Sequence, residues 1–463
     1  MDACIEGATP SNEGHDNIPI RRIFYNLPRR FLGRGKLFKT RLSAGFLFGN
    51  STRLAKNIFM KHYFAFFAMT LLVGGLALVA DPVKTSVPDR WSSERAQTWY
   101  GLQPWLVGGN FVPSTAINQL EMWQADTFDP TTIDRELGYA QSIGMNTMRV
   151  FLHDLAWRED EQGFYSRVDR YLAIADSHGI KTLFVVFDGV WNPYPKAGKQ
   201  PSPVPGLHNS GWVQSPGREI LEDPAGQDQL KPYVVGLLSR YKNDKRVLAW
   251  DLFNEPDNPN RQAYGRDGTR TELSEADKVK FATQLLRKTF AWAHEVGPSQ
   301  PVTAAVWLGD YLNHPTEIQK LCLDESDVIS YHNYDGPVEM RKRIEGLEQL
   351  GRPVLCTEYM ARGNNSTFQG ILPILKDSHV AAYNWGLVNG KSQTIYPWDS
   401  WIKPYTNEPA IWFHDVFHQD GRPFSVSEVQ LICNLTGRGR ANQSLSEPGN
   451  DSTRLSATSI TSP

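Results

Sequence analysis

Eight short apolar runs punctuate the middle of this chain, at 106–111, 147–151, 181–187, 247–253, 302–307, 328–334, 354–359 and 381–388. Stretches of helical periodicity separate them. Residues 132–143 set Ile133, Leu137 and Ala140 on one face and stop at Gly144. Residues 168–177 follow the same plan before His178-Gly179, 273–295 form a longer helix, and 340–350 precede Gly351. Strands that stay apolar along their length are buried on both faces, which is the condition of parallel strands covered by helices. Eight such strand–helix units predict an α/β fold with a closed parallel barrel, a (β/α)8 TIM barrel with long βα loops. The competing arrangement is an open doubly wound sheet. It wants a glycine-rich first turn, and Gly108-Gly109-Asn110 lacks the G-x-G-x-x-G spacing.

The ends of the chain read differently. Residues 1–57 form a basic, irregular prefix, with Arg21-Arg22 and Arg29-Arg30. Residues 58–80 contain a charge-free apolar stretch, 63–80, which predicts a signal peptide or a membrane anchor. With Met60-Lys61 as the start, cleavage follows Ala80, and 1–59 is an upstream extension of the reading frame. As an anchor, the segment leaves the basic prefix inside. Either way the domain 81–435 is expected to be exported, secreted or periplasmic if the segment is cleaved and membrane-anchored if it is not. Residues 436–463 are rich in Ser, Thr, Gly and Asn and predict a disordered tail.

Composition narrows the partners. The chain has 463 residues, a length that suits one large barrel with additions. A net charge of −2 without a long basic stripe in the body of the chain argues against nucleic acid. The 14 Trp and 17 Tyr residues suit the faces of sugars, although any one ring is more often core or rim packing. None of the four cysteines forms a Cys-x-x-Cys pair, which speaks against a zinc or thioredoxin-like site.

Two runs end in carboxylates. The first ends in Asn254-Glu255-Pro256. Pro256 is expected to stop the strand and to keep Glu255 in the extended region. Neighbours on a regular strand face opposite ways, but at a strand end that turns both side chains can lean over one opening. The second run, from Pro353 to Glu358, ends in another carboxylate. Cys356, two residues before Glu358, is expected to face the same interior as a buried thiol. A lone strand-end Glu is usually a cap or an ion-pair partner. Two of them at the ends of two buried strands are what glycoside hydrolysis requires.

On these motifs the chain resembles the cellulase-like clan of retaining glycosidases, closest to glycoside hydrolase family 5, over roughly residues 106–388. Asn254-Glu255-Pro256 matches the strand-four motif, and Glu358 falls at the strand-seven nucleophile. His332 and Tyr334, in Tyr331-His332-Asn333-Tyr334, match the strand-six His-x-Tyr. Arg149 stands where the family has an arginine on strand two, and Trp385 where it has a sugar platform on strand eight. The resemblance implies a cis peptide after Trp385. One position departs: the family's histidine after strand three is replaced in Phe187-Asp188-Gly189, so no role is carried onto Asp188.

The resemblance implies a retaining β-glycosidase acting on a β-linked polysaccharide or oligosaccharide, cellulase- or mannanase-like, with no cofactor and no metal. Glu255 would be the acid and later the base, and Glu358 the nucleophile, kept ionised by Arg149 and Tyr334. His332 would tune Glu255, Asn254 would grip the sugar 2-hydroxyl, and Trp385 would carry the ring. Asn110 and Asn384 receive no assignment, and Trp191, Trp307 and Trp398 divide evenly between subsite and core. A catalytically silent carbohydrate-binding barrel would be expected to have lost a carboxylate. A transglycosylase would intercept the same intermediate with a sugar. A metal-dependent barrel hydrolase wants His-x-His near strand one, and 106–110 holds no histidine. The sugar, the linkage and endo or exo action depend on loops 188–230, 256–272 and 389–408. The oligomeric state does not follow from the sequence.

Overall fold

A computed structural model describes residues 90–260, 275–307 and 309–438. The segments 1–57 and 58–80 lie outside the described residues, as do part of loop 256–272 and the tail from 439 onward.

Eight strands form the sheet: β1 Val107–Asn110, β2 Thr147–Phe151, β3 Lys181–Val185, β4 Val247–Asp251, β5 Val302–Thr303, β6 Ile329–His332, β7 Val354–Tyr359 and β8 Ala381–Trp385. Every ladder between them is parallel, and the order runs β5-β4-β3-β2-β1-β8-β7-β6. The last gap, between β5 and β6, is closed just beyond β5. The Val306 N–H donates to Ser330 O at 3.2 Å, and the His332 N–H donates to Val306 O at 3.1 Å. The hydroxyls of Thr303 and Ser330 meet at 2.7 Å across the same seam. The sheet is therefore a closed barrel, as the alternation predicts, with one weak seam where β5 is only two residues long.

Side chains sort into two cores. Inside the barrel sit Leu106, Phe151, Leu183, Val185, Leu248, Leu355, Ala381, Tyr383 and Trp385. Their strand neighbours, such as Met148, Val150, Phe184, Trp250, Ile329 and Tyr331, face a larger core shared with the surrounding helices. This explains why the runs read as continuous rather than alternating: both faces of every strand are dry. The helix Ser93–Gly101 brings Trp91, Trp99 and Tyr100 against the inner core, and Trp91 N donates to Asp327 Oδ1 at 2.7 Å. The predicted helices appear as Pro130–Ser142, Glu161–Ser177, Glu275–Val296 and Pro337–Glu348. Gly144, at φ 81°, ends the first of them.

Two local departures from ideal strands matter for the site. On β7 the register slips by one residue: Tyr331 pairs with Cys356 but His332 pairs with Glu358, so Thr357 is an extra residue. The bulge reverses the alternation. Leu355 faces inward, Cys356 faces the helix layer beside Tyr331 and Met340, and Glu358 returns to the interior. Cys356 is a buried thiol, as expected, but it does not share a face with Glu358. The second departure is at Glu255, whose φ is 45° and not extended. Proline disfavours the right-handed helical region for the residue before it, and here the chain satisfies that restriction by turning left-handed. The turn is held by Asn254 N donating to Phe187 O at 2.8 Å, Gly189 N to Asn254 O at 3.0 Å and Asn258 N to Glu255 O at 3.0 Å.

Candidate active site

Parallel barrels open their C-terminal ends to the loops, and that is where polar side chains terminate the apolar strands. Arg149, near the end of β2, is wholly buried and organises the centre. Its Nη1 donates to Glu358 Oε1 and to Asn110 Oδ1, both at 2.8 Å. Its Nη2 reaches Asn254 Oδ1 at 2.7 Å and Asp251 Oδ2 at 2.7 Å, and its Nε reaches the same Asp251 oxygen at 3.0 Å. Burial works against the guanidinium charge, but Asp251 and Glu358 more than offset it and raise the Arg149 pKa. A fixed fork with five donors can bind this many acceptors at once, and lysine cannot.

The two carboxyls stand close. One oxygen each from Glu255 and Glu358, together with a His332 ring nitrogen, lie within 4.8 Å of one another. His332 Nδ1 is 2.8 Å from Glu255 Oε1 and 3.4 Å from Glu358 Oε2. The left-handed Glu255 and the bulge at Thr357 bring these side chains over one opening. Glu255 Oε2 accepts from Asn258 Nδ2 at 2.7 Å, and Asn258 O in turn accepts from the buried Lys278 at 2.5 Å. Tyr334 donates its hydroxyl to Glu358 Oε2 at 2.8 Å. Burial, with the nearby Glu358 charge, keeps that phenol protonated.

The electrostatics are unequal. Burial pushes Glu255 up to about 8, and the Asn258 hydrogen bond opposes it only in part. Burial also raises Glu358, against the Arg149 charge and the Tyr334 hydrogen bond. Burial lowers His332 to about 4, so its ring is neutral at pH 7 and does not draw off the Glu255 proton. Near neutral pH Glu255 therefore holds a proton, while Arg149 and Tyr334 hydrogen-bond to the two oxygens of Glu358. Glu255, His332 and Glu358 could geometrically hold a metal ion. Each carboxylate oxygen, however, already faces a partner, and the Arg149 cation lies 2.8 Å from Glu358.

All seven residues singled out in the sequence, Arg149, Asn254, Glu255, His332, Tyr334, Glu358 and Trp385, converge here. Trp385 meets Phe151 and Trp212 edge to face, with centroids 5.8 Å apart in each case. The peptide after it is not cis: among the described residues the one cis bond is Ser215–Pro216. Gly386, at φ 76°, makes the turn instead. Trp398 stands edge-on to Tyr334 at 5.1 Å, and Trp191 stacks on Trp401 at 5.0 Å.

Three functional positions were missed or left unassigned. Asp251 fixes Arg149; it is the only charged residue in the run 247–253, and that anomaly was the available signal. Asn110 accepts from Arg149 and donates to Thr357 O at 2.9 Å, anchoring the bulge. Asp188 accepts from Gln119 at 3.0 Å, Trp212 at 2.7 Å and Asn254 at 2.9 Å, and burial raises its pKa to about 7.

No protein-family model matches the chain, and no curated protein sequence does. Solved structures do show a likeness. The GH5_18 protein from Streptomyces cattleya, solved in complex with GlcNAc, is 13% identical over 72% of this chain and 80% of its own, with a TM-score of 0.46. The exo-β-1,4-mannosidase Op5Man5 from Opitutaceae bacterium strain TAV5 is 18% identical over 73% of this chain and 60% of its own, with a TM-score of 0.46. The endo-β-1,4-mannanase from Thermotoga petrophila is 13% identical over 74% of this chain and 78% of its own, also with a TM-score of 0.46.

Proposed function

We propose that the protein is a retaining β-glycosidase that cleaves O-glycosidic bonds of a β-linked glycan by double displacement. The observation that carries this reading is the pair Glu255 and Glu358, with one oxygen of each within 4.8 Å of the other, a raised Glu255 and the Arg149 guanidinium on Glu358. Retaining enzymes keep their carboxyls about 5–5.5 Å apart, and inverting enzymes about 6.5–9.5 Å. The shorter spacing leaves no room for a water between nucleophile and sugar.

In the first step a Glu358 oxygen attacks the anomeric carbon as the bond to the leaving oxygen breaks. Glu255 gives its proton to that oxygen. Arg149 and Tyr334 orient the Glu358 carboxylate, and Asn254, held by Asp188 and Arg149, is available to the sugar 2-hydroxyl. In the second step Glu255, now a carboxylate, takes a proton from water as the water attacks the anomeric carbon and the bond to Glu358 breaks. The aromatic wall of Phe151, Trp212 and Trp385 suits the face of a sugar ring. Export of the domain, expected from residues 58–80, would put it where polymeric glycans are met.

The test is proton NMR during hydrolysis of 4-nitrophenyl β-glycosides. The first sugar released should be the β anomer, and loss of either carboxyl should abolish turnover of unactivated substrates. An α anomer appearing first would overturn retention. Undiminished activity in the Glu358→Ala protein would overturn the site.

A further inference from the structure

One lysine among the described residues is buried, and it stands beside the candidate acid. Lys278 is 2% exposed and lies in the first turn of the helix Glu275–Val296. A cation in that turn opposes the helix dipole, and burial strips the ammonium of water. Both act against a lysine at this position, so neither the helix nor the packing accounts for it.

Its surroundings are those of a cation kept for its charge. Its one hydrogen bond among the described residues runs from Nζ to Asn258 O at 2.5 Å, and it closes no ion pair there. Three carboxyls face it from two loops, Asp257 and Glu255 after β4 and Asp188 after β3. Burial lowers its pKa to about 8 against their charges, which leaves it an ammonium at neutral pH. Gly189 makes the room. A Cβ there would lie 2.9 Å from Lys278 Nζ and 2.8 Å from Glu255 O, so a side chain after Asp188 would meet both the ammonium and the backbone of the acid.

From this seat Lys278 reaches Glu255 by two routes. It fixes the carbonyl of Asn258, whose amide donates to Glu255 Oε2 at 2.7 Å and whose N–H donates to Glu255 O at 3.0 Å. It also opposes the Asp257 charge, which pushes Glu255 upward. Asp257 is held on the other side by the Trp307 N–H at 3.2 Å and by Gln319 Nε2 at 2.8 Å. The remaining charged and titratable groups around Glu255 are Arg149 on β2, Asp188 after β3, His332 and Tyr334 at the end of β6, and Glu358 on β7. Arg149 is already paired with Asp251 and Glu358. Lys278 is the cation of this group that is not committed to another carboxylate.

We propose that Lys278 is a positioning residue for the acid–base step: its ammonium holds Asn258 on Glu255 and stabilises the carboxylate that Glu255 becomes once its proton has gone to the leaving oxygen. This rests on the glycosidase reading and adds the group that keeps a buried acid able to give up its proton. Burial alone favours the protonated form throughout. The nearby cation offsets part of that, and it holds Glu255 as a base until water supplies the next proton.

The test is the pH dependence of kcat/KM in the full chain and in Lys278→Met, Lys278→Arg and Asp257→Asn, with aryl β-glucosides and β-mannosides. Lys278→Met keeps the length and removes the charge, so the basic limb should move to higher pH by roughly 0.5–1 unit. Lys278→Arg should return most of that shift. Asp257→Asn removes the opposing charge and should move the limb to lower pH. A lysine that only ties the helix to the loop would give no such opposed pair of shifts. Leaving groups supply a second readout. In Lys278→Met, kcat/KM should fall about 5- to 20-fold for a 4-methylphenyl glycoside and less than about 2-fold for a 2,4-dinitrophenyl glycoside, which leaves without a proton. Equal losses with both leaving groups and an unmoved limb would overturn the role of Lys278 while leaving the glycosidase reading intact. Where Lys278→Met does not fold, Asp257→Asn decides: a limb that stays or rises would overturn the proposal. No turnover of any of these glycosides by the unaltered protein would overturn the glycosidase reading itself.

Discussion

Asp188 Oδ1 accepts a hydrogen bond from Asn254 Nδ2 at 2.9 Å. That bond fixes which way the Asn254 amide points, and so leaves Asn254 Oδ1 for Arg149 at 2.7 Å. The position after β3 therefore supports the strand-four motif from behind. Its other oxygen is saturated by Gln119 and Trp212. A carboxylate is the group that accepts on both sides at once.

Asp188→Asn is nearly isosteric but must present an N–H to one of these donors. Either Asn254 or the Gln119–Trp212 pair then faces a donor and is left unsatisfied, at a cost of about 1–3 kcal/mol. We expect kcat to fall by about 5- to 150-fold with that energy, and the melting temperature to drop. A full-activity Asp188→Asn protein, measured with a 4-nitrophenyl glycoside, would show that Asn254 needs no such support.

Arg149→Lys keeps a charge but loses the fork. Asp251, Glu358, Asn110 and Asn254 would compete for three donors where five N–H bonds now serve them. Breaking a buried ion-pair network by removing one partner costs about 3–5 kcal/mol, and lysine should recover only part of it. With the guanidinium hydrogen bond to it lost, Glu358 should titrate higher, so the acid limb of kcat/KM should move to higher pH. Differential scanning calorimetry and a pH–rate profile check the two parts separately. An unmoved acid limb would mean that Arg149 does not set the Glu358 charge.

The pH dependence has a definite sign. On the proposed mechanism activity needs Glu255 protonated, so it should fall as pH rises through about 8. Stability should follow the same group. Its folded pKa is raised above the ordinary 4.5, so its stabilising contribution is full below 4.5 and is lost between there and about 8. Asp188 acts in the same direction between 3.8 and about 7. Glu255→Gln removes one of these burdens. It should raise the melting temperature relative to the unaltered protein at pH 8 and change it little at pH 4. The reverse order would mean that Glu255 is ionised in the folded protein throughout.

The sequence carried the barrel because its strands are dry on both faces, so each one stands out as an apolar run between helices. It marked the residues that meet at one end of the barrel because polar side chains such as Arg149, Asn254, His332 and Glu358 interrupt or terminate those runs. What it hid were two backbone departures. The bulge at Thr357 and the left-handed turn at Glu255 are set by pairing with β6 and with the loop after β3. A period of two along one strand contains no trace of either. The Cys356 expectation failed for that reason.

On the proposed mechanism the two carboxyls should fail in different ways when removed. Glu358→Ala takes away the nucleophile, so no glycosyl-enzyme forms with any leaving group. Glu255→Ala takes away the proton donor, and substrates with good leaving groups should still glycosylate Glu358. The intermediate then stalls, because nothing takes the proton from water. Azide needs no base, so it should restore turnover in Glu255→Ala and give a β-glycosyl azide, the product of two inversions. In Glu358→Ala, azide can reach the anomeric carbon only from the face that Glu358 vacates, and one inversion gives the α azide. Mass spectrometry of Glu255→Ala with a 2,4-dinitrophenyl β-glycoside should find the sugar on the peptide that carries Glu358. Reversed anomers in the two proteins would exchange the roles of Glu255 and Glu358. An α azide from both would remove the covalent intermediate altogether.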